Sequence, residues 1–249
     1  MSEPAPAFRS KVVIALCLCL VAGFVDAVGY LTLDKLLLAN MSGNTVRLAM
    51  RGVEGEWGPA SVGLLAIVMF TGGLMLSGLV YELCVRLRAP PFRFTVLLEV
   101  ALLGAFLVLG PGLQGPFFHA QVSLGALAMG MQNASLRRVG PFSVFTTHIT
   151  GTLTKFGESV VSLVFWVLDT RGRMPRITWR GLFRLGLGEK SVQETFFMGG
   201  LWLMFLLGAA WGTLFQRRFG LPSLVAPVVL LLAVAVYDGF RPINPRGNA

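Results

Sequence analysis

Two stretches of this chain place polar, capping and basic residues at the same spacing: NMSGNTVR, Asn40 to Arg47, and HITGTLTK, His148 to Lys155. Ser42 with Gly43, and Thr150 with Gly151, suit the start of a short helix. Ser and Thr cap free amide groups, and Gly lets backbone approach a ligand. The amides and partial positive charge of a helix N-terminus favour an anion or a strongly polar group. Arg47 and Lys155, one turn further on, would add positive charge. Asn40, Asn44, Gln132, Asn133, Thr146 and Thr147 offer a hydrogen-bonding lining, and His148 can bind a ligand or titrate. The chemistry expected is therefore recognition of a small polar solute rather than bond breaking. A competing reading makes both segments ordinary capped helices in surface loops, with Arg47 and Lys155 snorkelling to headgroups.

A carboxylate inside a hydrophobic run is costly and is a functional candidate on that ground. Asp26 interrupts the first such run and is the candidate for proton or cation coupling. Its alternative role is a carboxylate near the interface that pairs with Arg47 or caps the break. Glu99 is expected to pair with Arg93 at the interface, and Asp238 to be interfacial near the end of the last run.

The elements that must position these residues follow from composition. The 249 residues are 55% hydrophobic and 13% charged, with a mean hydropathy of +0.72, which excludes an ordinary soluble domain. Six runs approach the roughly 20 residues a spanning helix requires: 12–31, 59–81, 94–113, 117–136, 195–215 and 221–240. A barrel is excluded because the runs are continuous rather than alternating. The run at 12–31 is read as a retained helix rather than a cleaved signal. The stretch SVVSLVFWVL, residues 159–168, is too short to be a seventh span.

The net charge of +9 does not indicate a nucleic-acid partner, because of where the charges lie. With the N-terminus in the cytoplasm and six spans, only Lys35, Arg47, Arg51, Arg217 and Arg218 fall outside. The other sixteen of 21 Lys and Arg fall inside, as the positive-inside rule requires. Cys17, Cys19 and Cys84 show no metal-binding spacing and read as small apolar fillers. No GxSxG elbow, P-loop, HExxH or Rossmann pattern occurs, so neither an enzyme nor a cofactor is expected.

The chain also contains an internal repeat. GFVDA at Gly23 matches GMQNA at Gly130, 107 residues on; the two polar segments are 108 apart; FTGGLML at Phe70 matches FMGGLWL at Phe197, 127 apart. The jump of 19 is accounted for by an insertion near RGRMPRITWRGLFRLGLGEK, Arg171 to Lys190. Its arginines mixed with Trp179, Leu182 and Phe183 suit a segment lying on anionic lipid at the cytoplasmic leaflet.

The expected fold is an all-α membrane protein: six transmembrane helices as two inverted three-helix repeats, each with a broken or re-entrant short helix after its first span. Repeat 1 covers 12–113 with its break near 40–45. Repeat 2 covers 117–240 with its break near 148–153. Residues 1–11 and 241–249 are cytoplasmic tails. The GAAWG run at 208–212 and the pair Gly73 and Ser77 are close-packing sites, within one protomer or between two copies.

AGFVDAVGYLTL, NMSGNT, AMGMQNASLRRVG and THITGTLT resemble the signature segments of the YoaK family of bacterial integral membrane proteins, described as a domain of unknown function. The resemblance runs from about residue 12 to 240. It implies a six-span inner-membrane protein with no assigned substrate. Residue chemistry and the inverted repeat together give the expected function: a secondary transporter of a small polar or anionic solute, held between two half-helix N-termini, with Asp26 coupling to protons. A channel or lipid-handling protein is the alternative, and an intramembrane hydrolase the more distant one.

Overall fold

A computed structural model describes residues 5–110, 117–139 and 149–241, and these are helical throughout apart from short connections. In chain order the helices are α1 (Ala5–Thr32), α2 (Met41–Val53), α3 (Trp57–Arg86), α4 (Pro91–Val108), α5 (Phe118–Val139), α6 (Ile149–Arg173), α7 (Trp179–Gly186), α8 (Lys190–Phe219) and α9 (Val225–Phe240). A 3-10 turn, Leu221–Leu224, precedes α9. Reversals are made where local chemistry allows them. Pro91 opens α4, where its missing N–H costs nothing, and Gly220 turns the chain after α8 at φ 67°.

Among the described residues six helical segments are long and apolar enough to cross a membrane: Arg9–Thr32, Trp57–Arg86, Pro91–Val108, Ile149–Arg173, Lys190–Phe219 and Leu221–Phe240. Two points differ from the sequence expectation. The run expected at 117–136 does form a helix, α5, but does not reach the hydropathy of the others. It carries the buried Gln121, Gln132 and Asn133, and it packs against α1, α3 and α4. A helix walled by protein can hold polar side chains that lipid would not tolerate.

The second difference is α6. The stretch judged too short to span is the later part of a continuous 25-residue helix that begins at Ile149, a rise of about 37 Å. TGTLTKFGES does not interrupt it. Thr154 and Ser162 donate to the carbonyls of Thr150 and Glu158 at 3.0 and 3.1 Å, so these hydroxyls bond back within the helix instead of capping it. The first polar segment does follow a break, since α1 ends at Thr32, and it caps and opens the short α2 of 13 residues.

The chain divides into two compact units. The first comprises residues up to Thr147 and from Met204 onward. Within it α3 lies against α5, α5 against α4, α4 against α9 and α2 against α3. Two helix crossings are closed by glycines. A Cβ on Gly130 would fall on the Phe70 carbonyl, 2.9 Å from its carbon. One on Gly73 would meet the Leu127 carbonyl carbon and Met131 N at 3.0 Å each. Where α1 meets α8, Gly23 faces the Phe205 carbonyl carbon at 2.9 Å and Gly208 that of Leu20 at 2.9 Å. Lipid is as apolar as a leucine side chain, so helices inside it associate through such close backbone contact. The small residues expected to serve close packing thus do so inside one chain.

The second unit, His148–Leu203, contains α6, α7 and the first part of α8. Gly199 receives the Phe156 ring, 3.0 Å from where a Cβ would sit, and Gly186 of α7 receives Trp166 of α6 at 3.3 Å. Thr178 caps α7 by accepting from the Gly181 amide at 3.2 Å. The Arg171 guanidinium lies 4.0 Å from the centre of the Trp179 ring, while Trp179 and Phe183 remain 68% and 60% exposed.

Candidate functional site

The break after α1 is a turn that buries its apolar residues while Asp34, Lys35 and Asn40 stay exposed, and its backbone is held by side chains. Asp34 and Lys35 take left-handed conformations, φ 49° and 57°, which reverses the chain and sends Leu36, Leu38 and Ala39 inward to 1%, 1% and 5% exposure. Leu38 inserts between two glycines, with its Cδ1 2.6 Å from a Cβ built on Gly29 of α1 and 2.8 Å from one built on Gly125 of α5. Any side chain at either position would displace it.

Where this non-helical segment is buried, its polar backbone must be satisfied internally. The Ala39 N–H donates to Asp26 Oδ1 at 2.8 Å, and the Leu38 amide also bonds to this carboxylate. Asn44 Nδ2 donates to the Leu37 carbonyl at 2.7 Å. Arg47 donates to the Asp34 carbonyl at 2.8 Å and forms an ion pair with its carboxylate at 2.7 Å. Asn40 Oδ1 accepts from the Gly43 amide at 3.1 Å and from Ser42 Oγ at 2.9 Å.

These contacts revise several roles. The N-cap of α2 is Asn40, not Ser42, which lies inside the first turn and donates to the cap. Because Asn40 already takes the Gly43 amide, that donor is committed. Arg47 pairs with Asp34, not with Asp26. Asp26 is 5% exposed and caps the break. Removing the cap with Asn40→Ala is expected to cost about 1 kcal/mol, read as a thermal midpoint lowered by about 2–4 °C in detergent.

Of the partner segment, Thr150, Gly151 and Lys155 occupy the first turns of α6 in the second unit. Thr150 is exposed and Thr152, the counterpart of Asn44, is buried. His148, Thr146 and Thr147 lie outside the described residues.

Deeper in the first unit lies a second polar group. The expected pair of Glu99 with Arg93 does not form. Arg93 instead reaches Asp238 of α9, with Nη2 donating to its carbonyl at 3.3 Å and Nε 3.7 Å from its carboxylate. Asp238, expected at the interface, is 1% exposed. Glu99 and Gln132 are fully buried at 0%. Among the described residues neither oxygen of Glu99 and neither side-chain polar atom of Gln132 has a hydrogen-bond partner. Asn133, the counterpart of Asp26, is buried at 8%. Gln121 donates to the Gly110 carbonyl and, at 3.4 Å, to that of Phe106. Among the described residues no group of three or more His, Cys, Asp or Glu could hold a metal ion.

A protein family described as a protein of unknown function, DUF1275, matches residues 14–237. The chain belongs to this family. Its relatives include the UPF0700 transmembrane protein YoaK of Bacillus subtilis (strain 168), 29% identical over 150 residues, covering 60% of this chain and 67% of the relative. The UPF0700 transmembrane protein RA0705 of Rhizobium meliloti (strain 1021) is 32% identical over 181 residues, covering 70% and 73%. No solved structure matches. This DUF1275 chain is therefore a transmembrane protein of the YoaK kind, as its signature segments imply. Within it the polar break was readable from composition, because Asn, Ser and Gly interrupt an apolar run. Glu99 and Gln132 were harder to weigh. A single carboxylate five residues into a span looks interfacial until packing shows what surrounds it.

Proposed function

We propose that the chain is a secondary transporter of a small polar solute, with anions the favoured class, built from two three-span halves of opposite orientation. A repeated pair of helix crossings carries this reading. Leu127 and Gly130 follow Leu20 and Gly23 by 107 residues, and Phe205 and Gly208 follow Phe70 and Gly73 by 135. In each case the glycine of one half's first span lies on a carbonyl of the other half's second span. A third contact repeats as well. Gly63 touches Leu48, and 136 residues on Gly199 touches Phe156, which follows Leu48 by 108. On this reading the partner of FTGG at 70–73 is FLLG at 205–208, two turns beyond the sequence match at 197.

In this arrangement α1, α3 and α4 form one half and α5, α8 and α9 the other, while α6 is the lengthened counterpart of α2. With α5 counted as a crossing and α6, although long enough to span, counted like α2 as none, three crossings per half invert the second half and return both termini to the cytoplasm, in keeping with the charge distribution. The bacterial inner membrane is the location, and the exposed Trp179 and Phe183 of α7, flanked by arginines, rest on anionic lipid. In the first unit the residues that hold the solute are Asn40, Ser42, Gly43, Asn44 and Arg47, which exchange their present contacts for it; Asn133, His148, Thr150, Gly151 and Lys155 are the candidates that the sequence repeat supplies. Asp26 couples the site to protons because its carboxylate accepts from the break. Protonation weakens that acceptor and loosens the turn.

Uptake into proteoliposomes, with and without an imposed proton gradient, tests this. Saturable uptake driven by the gradient is expected, with the gradient's contribution lost in Asp26→Asn. Uptake of the same size and gradient dependence in that variant removes the coupling role, and unsaturated conductance makes the protein a channel. One observation favours a second reading, lipid binding. A groove of about 710 Å³ between α1 and α9 has apolar walls including Val13, Ile14 and Leu230, with Arg9 and Arg241 at one end.

A further inference from the structure

The buried polar residues of α4 and α5 stand apart from the break. Gln121 and Phe106 are joined by a hydrogen bond, and a Cβ on Gly125 would meet the Phe106 ring at 3.3 Å, so α5 faces α4 at this level. Seven residues return a helix to the same face within about 20°. One heptad from Gly125 along α5 is Gln132. One heptad back from Phe106 along α4 is Glu99. The chain reverses between the helices and they run antiparallel, so the two steps go the same way through the bundle and bring Glu99 level with Gln132. The opposite face of α5, with Leu127 and Gly130, is taken up by α3.

We propose that Glu99 and Gln132 form an intramembrane proton-binding site, in which the acid O–H of Glu99 donates to Gln132 Oε1 while Gln132 Nε2 donates to the Glu99 carbonyl oxygen. An acid facing a primary amide can close such a pair; in the structure the two side chains are not bonded to each other, and turning them together satisfies the four polar atoms that have no partner among the described residues. An ionised carboxylate at this place would give up its hydration for a single amide donor, which is the costly alternative. Proton release therefore requires α4 and α5 to part and admit water. The proton passes to that water and the carboxylate is solvated as it forms.

Other titratable groups on elements packed against α4 are accounted for. On α3 these are Tyr81, Glu82, Cys84 and Arg86, of which only Cys84 is buried. On α9, Asp238 is engaged by Arg93, and Tyr237 shares a hydrogen bond with Ser10. On α5, His119 is exposed at the opposite end from Gln132 and Arg137 and Arg138 end the helix. The 3-10 turn has none. On α1, which packs on α5, Asp26 is occupied by the Ala39 amide. Glu99 is thus a second carboxyl, separate from the one at the break.

Dicyclohexylcarbodiimide, an apolar reagent that adds to protonated carboxyls, tests the site without any solute. In purified protein, peptide mass mapping is expected to find the adduct on Glu99, falling as pH rises and absent in Glu99→Gln. The infrared C=O band of an un-ionised carboxyl should vanish in Glu99→Gln and move to higher frequency in Gln132→Leu, which removes its donor. An unlabelled Glu99 at every pH, equal labelling by a water-soluble carbodiimide, or a band unchanged in Glu99→Gln would each overturn the proposal. Because no transport is measured, failure here is distinct from failure of the uptake experiment.

Discussion

Alanine at Gly130 or Gly23 is expected to leave little folded protein, although alanine is the better helix former by about 1 kcal/mol. The added methyl at Gly130 would coincide with the Phe70 carbonyl, and at Gly23 it would lie 2.9 Å from the Phe205 carbonyl carbon and 3.0 Å from Ala209 N. These are main-chain atoms, so no side-chain rotation relieves the clash. Each helix must move outward along its length, which opens the contacts that hold membrane helices together. Overpacking of an ordinary core costs about 1–3 kcal/mol, and a clash with backbone belongs at or above the top of that range. Gly104→Ala in α4 is the control, since nothing lies within 4 Å of its Cβ position. It should hold or slightly raise the thermal midpoint. Size-exclusion profiles and thermal melts in detergent decide the matter. If Gly130→Ala melts with the wild type, the α3–α5 crossing described above is wrong.

The second large effect is expected at Asp26. Asp26→Ala leaves the Ala39 N–H buried without its acceptor, 13 residues away in the chain and inside the protein. An unsatisfied buried donor costs about 1–3 kcal/mol. Asp26→Asn keeps an oxygen in place and should preserve most of the stability, which is why it serves for the uptake experiment. The loss in Asp26→Ala should be local at first. Backbone amides of residues 36–40 should exchange faster with deuterium, while α3 and α5 keep their protection. Equal exchange in the Ala variant and the wild type at 36–40 would show that packing of Leu36 and Leu38 alone holds the turn.

Much of the architecture is legible in the amino-acid order because lipid permits few solutions. A chain with six long apolar runs must be helical, and an Asn-Ser-Gly interruption must either end a helix or be enclosed. Hence α1, α3, α4, α8, α9 and the short α2 lie close to where hydropathy puts them. It fails at α6, where Thr, Gly and Lys lower the local hydropathy without ending the helix. It falls short at α5 as well, whose Gln121, Gln132 and Asn133 are buried among neighbouring helices that a run of letters does not reveal.

By itself the sequence determined a helical membrane protein of the DUF1275 family, and it marked Asp26 and the segment from Asn40 to Arg47 as polar groups out of place in an apolar chain. Only the tertiary structure decided what those groups touch. Asp26 meets Ala39, Arg47 meets Asp34, and Arg93 meets Asp238, 145 residues away, leaving Glu99 enclosed opposite α5. The reason is physical. Hydropathy is a property of each residue and sets which segments enter lipid, whereas a hydrogen-bond partner is a property of two helix faces. Those faces are brought together here by glycines whose importance depends on the backbone pressed against them.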